Sequence, residues 1–165
     1  MSALDDAVAE IRGAVSDLIA TAERAAPRWS TPRAPGKWSP SQVTEHVARA
    51  LEESAKQMKG LPSKLPSLPA LLRAPIRVLF FNRVVRGAPF IKAKTNPPMD
   101  PEHGPATPAE ARARLEQALA AFESACRERS AEPLRSPTFG PVSVPDMVRF
   151  QAAHTRHHTK QIPGA

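Results

Sequence analysis

Apolar residues recur at helical spacing in four stretches of the chain. In the first stretch the steps alternate between four and three residues, which is the pattern of a helix that buries one face. This helix is predicted to run from about residue 3 to about residue 26, where Pro27 ends it. The same spacing returns from residues 39, 107 and 143, so the pattern predicts four principal helices. The buried face of the first comprises Leu4, Val8, Ile11, Val15, Leu18 and Ala22.

The other three predicted helices each begin with an N-cap signal. A serine or threonine at the N-cap accepts a hydrogen bond from the backbone of the third helical residue, and proline suits the first helical position. The second helix is expected to end near Gly60, the third before Pro133 and the fourth at Pro163. The caps are Ser39 with Pro40 and Gln42, Thr107 with Pro108 and Glu110, and Ser143 with Asp146.

Residues 61–106 connect the second and third helices and hold nine of the nineteen prolines. Because proline breaks helical hydrogen bonding, a long regular helix is excluded for much of this segment. A short helix is predicted from Pro75 to Arg86, with Gly87 just past its end, and the rest is expected to be extended. At 165 residues the chain fits a single domain, residues 1–165. The sequence therefore predicts an all-α fold, a four-helix bundle with a long proline-rich crossover between helices 2 and 3.

The composition excludes several classes of protein. No apolar run is long enough to span a membrane, and the acidic, amphipathic start MSALDDAVAE does not resemble a signal peptide. The single cysteine, Cys126, excludes an intrachain disulfide and is predicted to be a small core side chain. We therefore expect a cytoplasmic protein with no membrane partner.

The net charge of +7 arises from one segment of the chain. Nine basic residues and no acidic residue lie within residues 54–99, so the rest of the chain sums to −2. Such a segment could bind nucleic acid or another polyanion. Only Phe80, Phe81 and Phe90 interleave with the charges, and no helix-turn-helix or stacking motif is present, so a solvated surface is the favoured interpretation. The basic residues are Lys56, Lys59, Lys64, Arg73, Arg77, Arg83, Arg86, Lys92 and Lys94.

Three histidines carry the candidate chemistry. His154 and His158 stand four residues apart, which places both imidazoles on one face of the last helix. His46 lies on the apolar stripe of the second helix, so all three side chains are predicted to point inward and to share one metal ion. Imidazole suits zinc, copper, iron and nickel, and three ligands leave a coordination position open, as a catalytic metal requires. The alternative is that these histidines are hydrogen-bonded core residues.

Gln42 and His157 lie close to these histidines in the sequence, and His103 is a histidine that lies apart from them. Gln42, one turn before His46, is positioned to accept the second N–H of that ligand. His157 is rotated by about 100° from His158 and is expected only to border the site. His103, in the loop PEHGP, is expected to be exposed and uninvolved.

Two stretches of the chain form recognisable motifs: KWSPSQVTEHVARALE and, about a hundred residues later, FGPVSVPDMVRFQAAHTRHHTKQI. Together they resemble the DinB-like family, also called the DinB/YfiT superfamily. The resemblance implies an up-down-down-up course of the four helices and a nickel, zinc or iron ion bound by His46, His154 and His158. It also implies a homodimer. Lys160 stands where family members often have glycine, which is expected to place a cation near the mouth of the site.

The resemblance also implies a reaction class. Family members use the metal to activate low-molecular-weight thiols for transfer to electrophiles, so we expect this chain to transfer such a thiol to a small-molecule substrate, with the basic segment 54–99 holding the thiol's carboxylates. Two alternatives stay open. One is a metal-dependent hydrolase that uses metal-bound hydroxide, and the other is a non-enzymatic protein that binds anions or nucleic acid through residues 54–99. The sequence identifies no catalytic residue beyond the metal ligands.

Overall fold

The computed structural model describes residues 2–91, 95–129 and 132–164. Four long helices, each of sixteen residues or more, dominate this part of the chain, as the apolar pattern predicts. Shorter elements lie in the connections between them. In chain order the elements are α1 (Ala3–Arg24), α2 (Pro40–Met58), α3 (Ala70–Ile76), a π-helical stretch (Arg77–Phe81), α4 (Asn82–Val85), α5 (Pro108–Arg129), β1 (Leu134–Ser136), β2 (Gly140–Val142) and α6 (Val144–Thr159).

The chain runs up, down, down and up through α1, α2, α5 and α6. Helices α1 and α5 are antiparallel, since the start of each is ion-paired with the end of the other. Helices α2 and α5 are parallel, and so are α1 and α6. In each of these pairs, earlier residues of one helix contact earlier residues of the other, and later residues contact later ones. The contacts are Asp5–Arg127 and Glu23–Arg112 for α1 and α5, Glu45–Arg114 and Met58–Arg129 for α2 and α5, and Ala3–Arg149 and Glu10–Arg156 for α1 and α6.

The helix starts are where the caps predict them. Ser39 and Gln42 form a reciprocal capping box at the start of α2, and the hydroxyl of Ser143 accepts from the backbone N–H of Asp146 at the start of α6. Thr107 likewise caps α5, although the Glu110 carboxylate accepts from the N–H of Ala106. The predicted end of α6 is wrong: the helix stops at Thr159, before Pro163, and the chain continues in turns.

The short crossover helix differs from its prediction. The helical path begins at Ala70, five residues before Pro75, and continues through the π-helical stretch to Val85. Pro75 therefore lies inside a helix, as the sixth of the seven residues of α3, where its missing N–H removes one helical hydrogen bond. Gly87 does follow the last turn, with a φ of 94° that a side chain would disfavour. An antiparallel hairpin of β1 and β2 connects α5 to α6.

The core lies between the four long helices and is built mainly from aliphatic side chains, with Phe81 and Phe122 the largest fully buried residues. Cys126 is fully buried within it, which confirms the prediction for this residue, and burial raises the pKa of its thiol to about 12. Among the described residues, no helix is both long enough and apolar enough to cross a bilayer. Ile11, Leu18, Leu51, Leu115 and Phe122 are among the most deeply buried side chains.

The last part of the crossover, residues 99–105, is fastened to the region where α2 begins. The carbonyl of Pro105 accepts from the indole of Trp29 at 2.8 Å and from the hydroxyl of Ser41 at 2.7 Å. The side-chain amide of Gln42 donates to the carbonyl of Pro101 at 3.0 Å. Gly104 lies so close to the backbone of Ser41 that a Cβ atom at this position would overlap it.

We expect Gly104→Ala to destabilise the fold by about 1 to 3 kcal/mol, because the added methyl group must push residues 99–105 away from α2. Gly13→Ala is the matched control. Gly13 is exposed in α1 with open space at its Cβ position, so alanine there should stabilise the protein by about 0.5 to 1 kcal/mol. Urea unfolding measures both changes. Equal effects of the two substitutions would show that residues 99–105 are not tightly packed on α2.

Candidate metal centre

The three candidate histidines meet at one point between α2 and α6. His46 lies in the second turn of α2, and His154 and His158 lie in the last two turns of α6. The Nε2 atom of His154 is 3.3 Å from Nε2 of His46 and 3.0 Å from Nε2 of His158. One ligand nitrogen from each of the three rings lies within 4.8 Å of the others. The sequence prediction that these residues come together is therefore confirmed.

In His46 and His158, the hydrogen bond made by Nδ1 determines that Nε2 is the nitrogen facing the other histidines. The Nδ1–H of His46 donates to the carbonyl of Met99 at 2.8 Å, and the Nδ1–H of His158 donates to Oε1 of Gln161 at 3.1 Å. Because both acceptors are oxygens without a proton to give, each Nδ1 carries the hydrogen. The Nε2 atoms of His46 and His158 thus present lone pairs to the centre, which is the tautomer that a metal ligand needs.

Burial keeps the three imidazoles neutral. It lowers the pKa of His46 below its usual value, against the opposing effect of the bond to Met99. Burial lowers the pKa of His158 to about 3, with the nearby His46 acting in the same direction. Burial also lowers the pKa of His154 well below its ordinary value. Neutral imidazoles at pH 7 can bind a metal without first losing a proton.

The spacing of the three nitrogens fits a divalent metal ion. Imidazole nitrogens lie about 2.1 Å from zinc, so neighbouring ligands in a tetrahedral or octahedral shell are about 3.0 to 3.4 Å apart. The two Nε2 separations at His154 fall in this range. Among the described residues, Nδ1 of His154 is buried without a hydrogen-bond partner. No hydrogen bond at Nδ1 therefore orients this ring, as Met99 and Gln161 orient the rings of His46 and His158. The donor set is one that zinc, iron and nickel accept.

Several sequence predictions near the site need correction. Gln42 does not support His46: its carbonyl caps α2 and its amide binds the crossover, while the backbone of Met99 takes the predicted role. Lys160 is exposed and does not line the cavity beside the histidines. His157 borders that cavity and His103 is highly exposed, as predicted.

A cavity of about 750 Å³ opens beside the histidines. Its lining is mostly apolar and includes Ile76, Phe80, Phe90, Phe139 and Phe150. Among the described residues, no basic side chain of segment 54–99 lines it, so the expectation that this segment holds a thiol's carboxylates is not met there. Lys92 and Lys94, two of the nine predicted basic residues, lie outside the described residues.

Sequence reasoning missed two aromatic neighbours of the histidines. The ring of Trp38 lies 4.6 Å from that of His46 and 5.7 Å from that of His158, and its N–H donates to the carboxylate of Asp100 at 3.0 Å. On the other side, the ring of Phe90 lies 5.5 Å from that of His154. Trp38 stands just before the N-cap of α2, and this position could have indicated its closeness to His46. Phe90 lies in the crossover, where no local pattern indicated its contact with His154.

We expect Gln161→Ala to weaken metal binding by about 10- to 100-fold, since the acceptor that orients the His158 ring is lost. Calorimetric titration with Zn²⁺ measures the change. Gln117→Ala, an exposed substitution of the same kind on α5, should leave the affinity unchanged. An unaltered affinity in Gln161→Ala would mean that helix packing alone holds His158 in place.

The sequence was compared with curated proteins, solved structures and models of protein families, and only a family model matches. Searches of curated proteins and of solved structures find no match. The family model described as the DinB superfamily matches residues 3–162. This match spans all four long helices and includes the three histidines. The chain therefore belongs to the DinB superfamily.

Proposed function

We propose that this chain is a metal-dependent enzyme in which His46, His154 and His158 bind a divalent nickel, zinc or iron ion and activate a low-molecular-weight thiol for transfer to a small electrophile. The observation that carries the proposal is the convergence of three neutral imidazoles at one end of an apolar cavity. Buried histidines that served the core alone would have no reason to turn Nε2 lone pairs toward one another.

The chain's own residues support this chemistry by holding and orienting the ligands. Met99 and Gln161 fix the rings of His46 and His158, and Trp38 covers the outer side of both rings. When bound, a divalent ion at such a site lowers the pKa of a coordinated thiol or water. Three protein ligands leave room for that group, and the apolar cavity wall keeps bulk water away from the reaction.

Metal-assisted hydrolysis would use the same residues, so the experiment must separate it from thiol transfer. The anion-binding or nucleic-acid-binding alternative has less support, because several cations of segment 54–99 are used within the fold. Lys56 pairs with Glu53, while Arg73 donates to the carbonyl of Leu68. Arg77 donates to two carbonyls of the hairpin region.

The test begins with the metal content of protein made without a histidine tag. The loaded protein is then assayed with 1-chloro-2,4-dinitrobenzene and a panel of thiols, and separately with 4-nitrophenyl acetate in the absence of thiol. Turnover that needs both thiol and metal, and that is lost in His154→Ala, would support the proposal. Metal-dependent ester hydrolysis without thiol turnover would favour the hydrolase. Turnover that persists after metal removal would refute both.

A further inference from the structure

The cavity beside the histidines has an apolar wall made of four phenylalanines. The ring of Phe90 lies 5.1 Å from that of Phe80 and 5.2 Å from that of Phe150, and Phe139 lies 5.2 Å from Phe150. Phe80 and Phe90 are only half-buried, so a ligand would remove further apolar surface from water. Because Phe90 also contacts the ring of His154, a molecule bound on this wall would lie next to the histidines.

Two cationic side chains also line the cavity. Arg33 and Lys37 line it, are exposed, and have no ion pair among the described residues. Lys37 immediately precedes Trp38, whose ring contacts His46 and His158. Asp100 also lines the cavity, so the charged side chains that line it within the described part of the chain are two cations and one carboxylate. Elsewhere the arginines that make ion pairs are Arg12, Arg49, Arg112, Arg114, Arg127, Arg149 and Arg156.

A buried glutamine of α6 also lines the cavity. The side chain of Gln151 is 5 % exposed and lines the cavity, and its amide donates to the hydroxyl of Ser54 at 2.9 Å. Its Oε1 has no hydrogen-bond partner among the described residues. This oxygen is also shielded from solvent, so a bound molecule could donate to it only if the side chain turned. Gln151 stands one helical turn before His154, on the same face of α6.

We propose that the cavity binds an aromatic or similarly bulky apolar molecule that carries an anionic group. The apolar body packs on the phenylalanines, and the anion pairs with Arg33 and Lys37. This assignment rests on the proposed function, because it names the class of electrophile that the same site would accept. Neither the phenylalanine wall nor the two cations are needed to hold the metal.

The test compares two fluorescent probes that share one skeleton. 8-Anilinonaphthalene-1-sulfonate carries the anion, and N-phenyl-1-naphthylamine lacks it. With metal-loaded full-length protein, the double variant Arg33→Glu/Lys37→Glu should weaken binding of the sulfonate about tenfold or more and change binding of the neutral probe less than twofold. The control variant Arg83→Glu/Arg86→Glu makes the same change in net charge at exposed positions outside the cavity lining, and should leave both affinities unchanged. Phe90→Ala should weaken both probes.

The results separate this proposal from the proposed function. Equal losses in the two double variants would trace the effect to overall charge and overturn the proposal, as would unchanged binding of both probes in Phe90→Ala. Cobalt titration of the same variants should show unaltered metal binding, since none of the substituted residues is a ligand. A protein that shows the expected probe preference but no thiol turnover would refute thiol transfer and leave the ligand class standing.

Discussion

Replacing His154 with alanine is expected to lower the affinity for Zn²⁺ by about 10²- to 10³-fold. The Nε2 atom of His154 is within 3.3 Å of Nε2 in both of the other rings, so this residue joins the two helices at the site. Four-ligand zinc sites bind with roughly 10 to 16 kcal/mol, or about 3 to 4 kcal/mol for each ligand. Losing one of three ligands should therefore leave only weak binding.

Calorimetric titration of protein made without a histidine tag measures this loss, and His103→Ala provides the control. His103 is a histidine on the same chain whose side chain is 87 % exposed, so its removal should not alter the affinity. If His154→Ala bound Zn²⁺ as tightly as the unaltered protein, the assignment of these three histidines as ligands would be wrong.

Without metal, the protein is expected to lose stability steeply as the pH falls from 7 to 5. An unfolded histidine has a pKa near 6.5, whereas burial holds that of His158 at about 3. The unfolded state therefore binds more protons over this range, and the stabilising contribution that is complete above pH 6.5 is lost toward the folded pKa. His158 alone accounts for about 2 kcal/mol between pH 7 and 5, and His46 and His154 act in the same direction.

Urea unfolding at several pH values, with a chelator present, tests this expectation. His158→Leu removes one of the groups that must take up a proton, so its stability should fall less over the same pH range. The same pH dependence in the unaltered chain and in His158→Leu would show that His158 is protonated in the folded protein.

The parts of the fold that could be predicted are those that depend on neighbours in sequence. Ser39, Thr107 and Ser143 mark helix starts because capping joins residues three apart. The inward positions of His46 and His158 follow from helical periodicity in the same way. Pro75 was predicted to open the short helix because proline favours the first helical position, whereas α3 begins five residues earlier, at Ala70, where the sequence gave no start signal.

The rest of the site depends on contacts that no local pattern contains. The acceptor for His46 is a backbone carbonyl, which every residue possesses, so nothing in the sequence singles out Met99. Phe90 reaches His154 only because the crossover folds back over α6. Arg33 and Lys37 lie in a proline-rich loop whose direction could not be inferred from the sequence. Anion binding was instead predicted for the larger group of basic residues in segment 54–99.

The separation of the histidines along the chain has a consequence for biosynthesis. His46 and His154 are 108 positions apart, so an emerging polypeptide offers the first ligand long before the others. At roughly 5 to 20 residues per second, translation takes about 5 to 20 s to cover that distance. Loading of the ion must therefore follow synthesis of α6, and a ribosome stalled within the crossover would hold a nascent chain that cannot yet sequester metal from the cell.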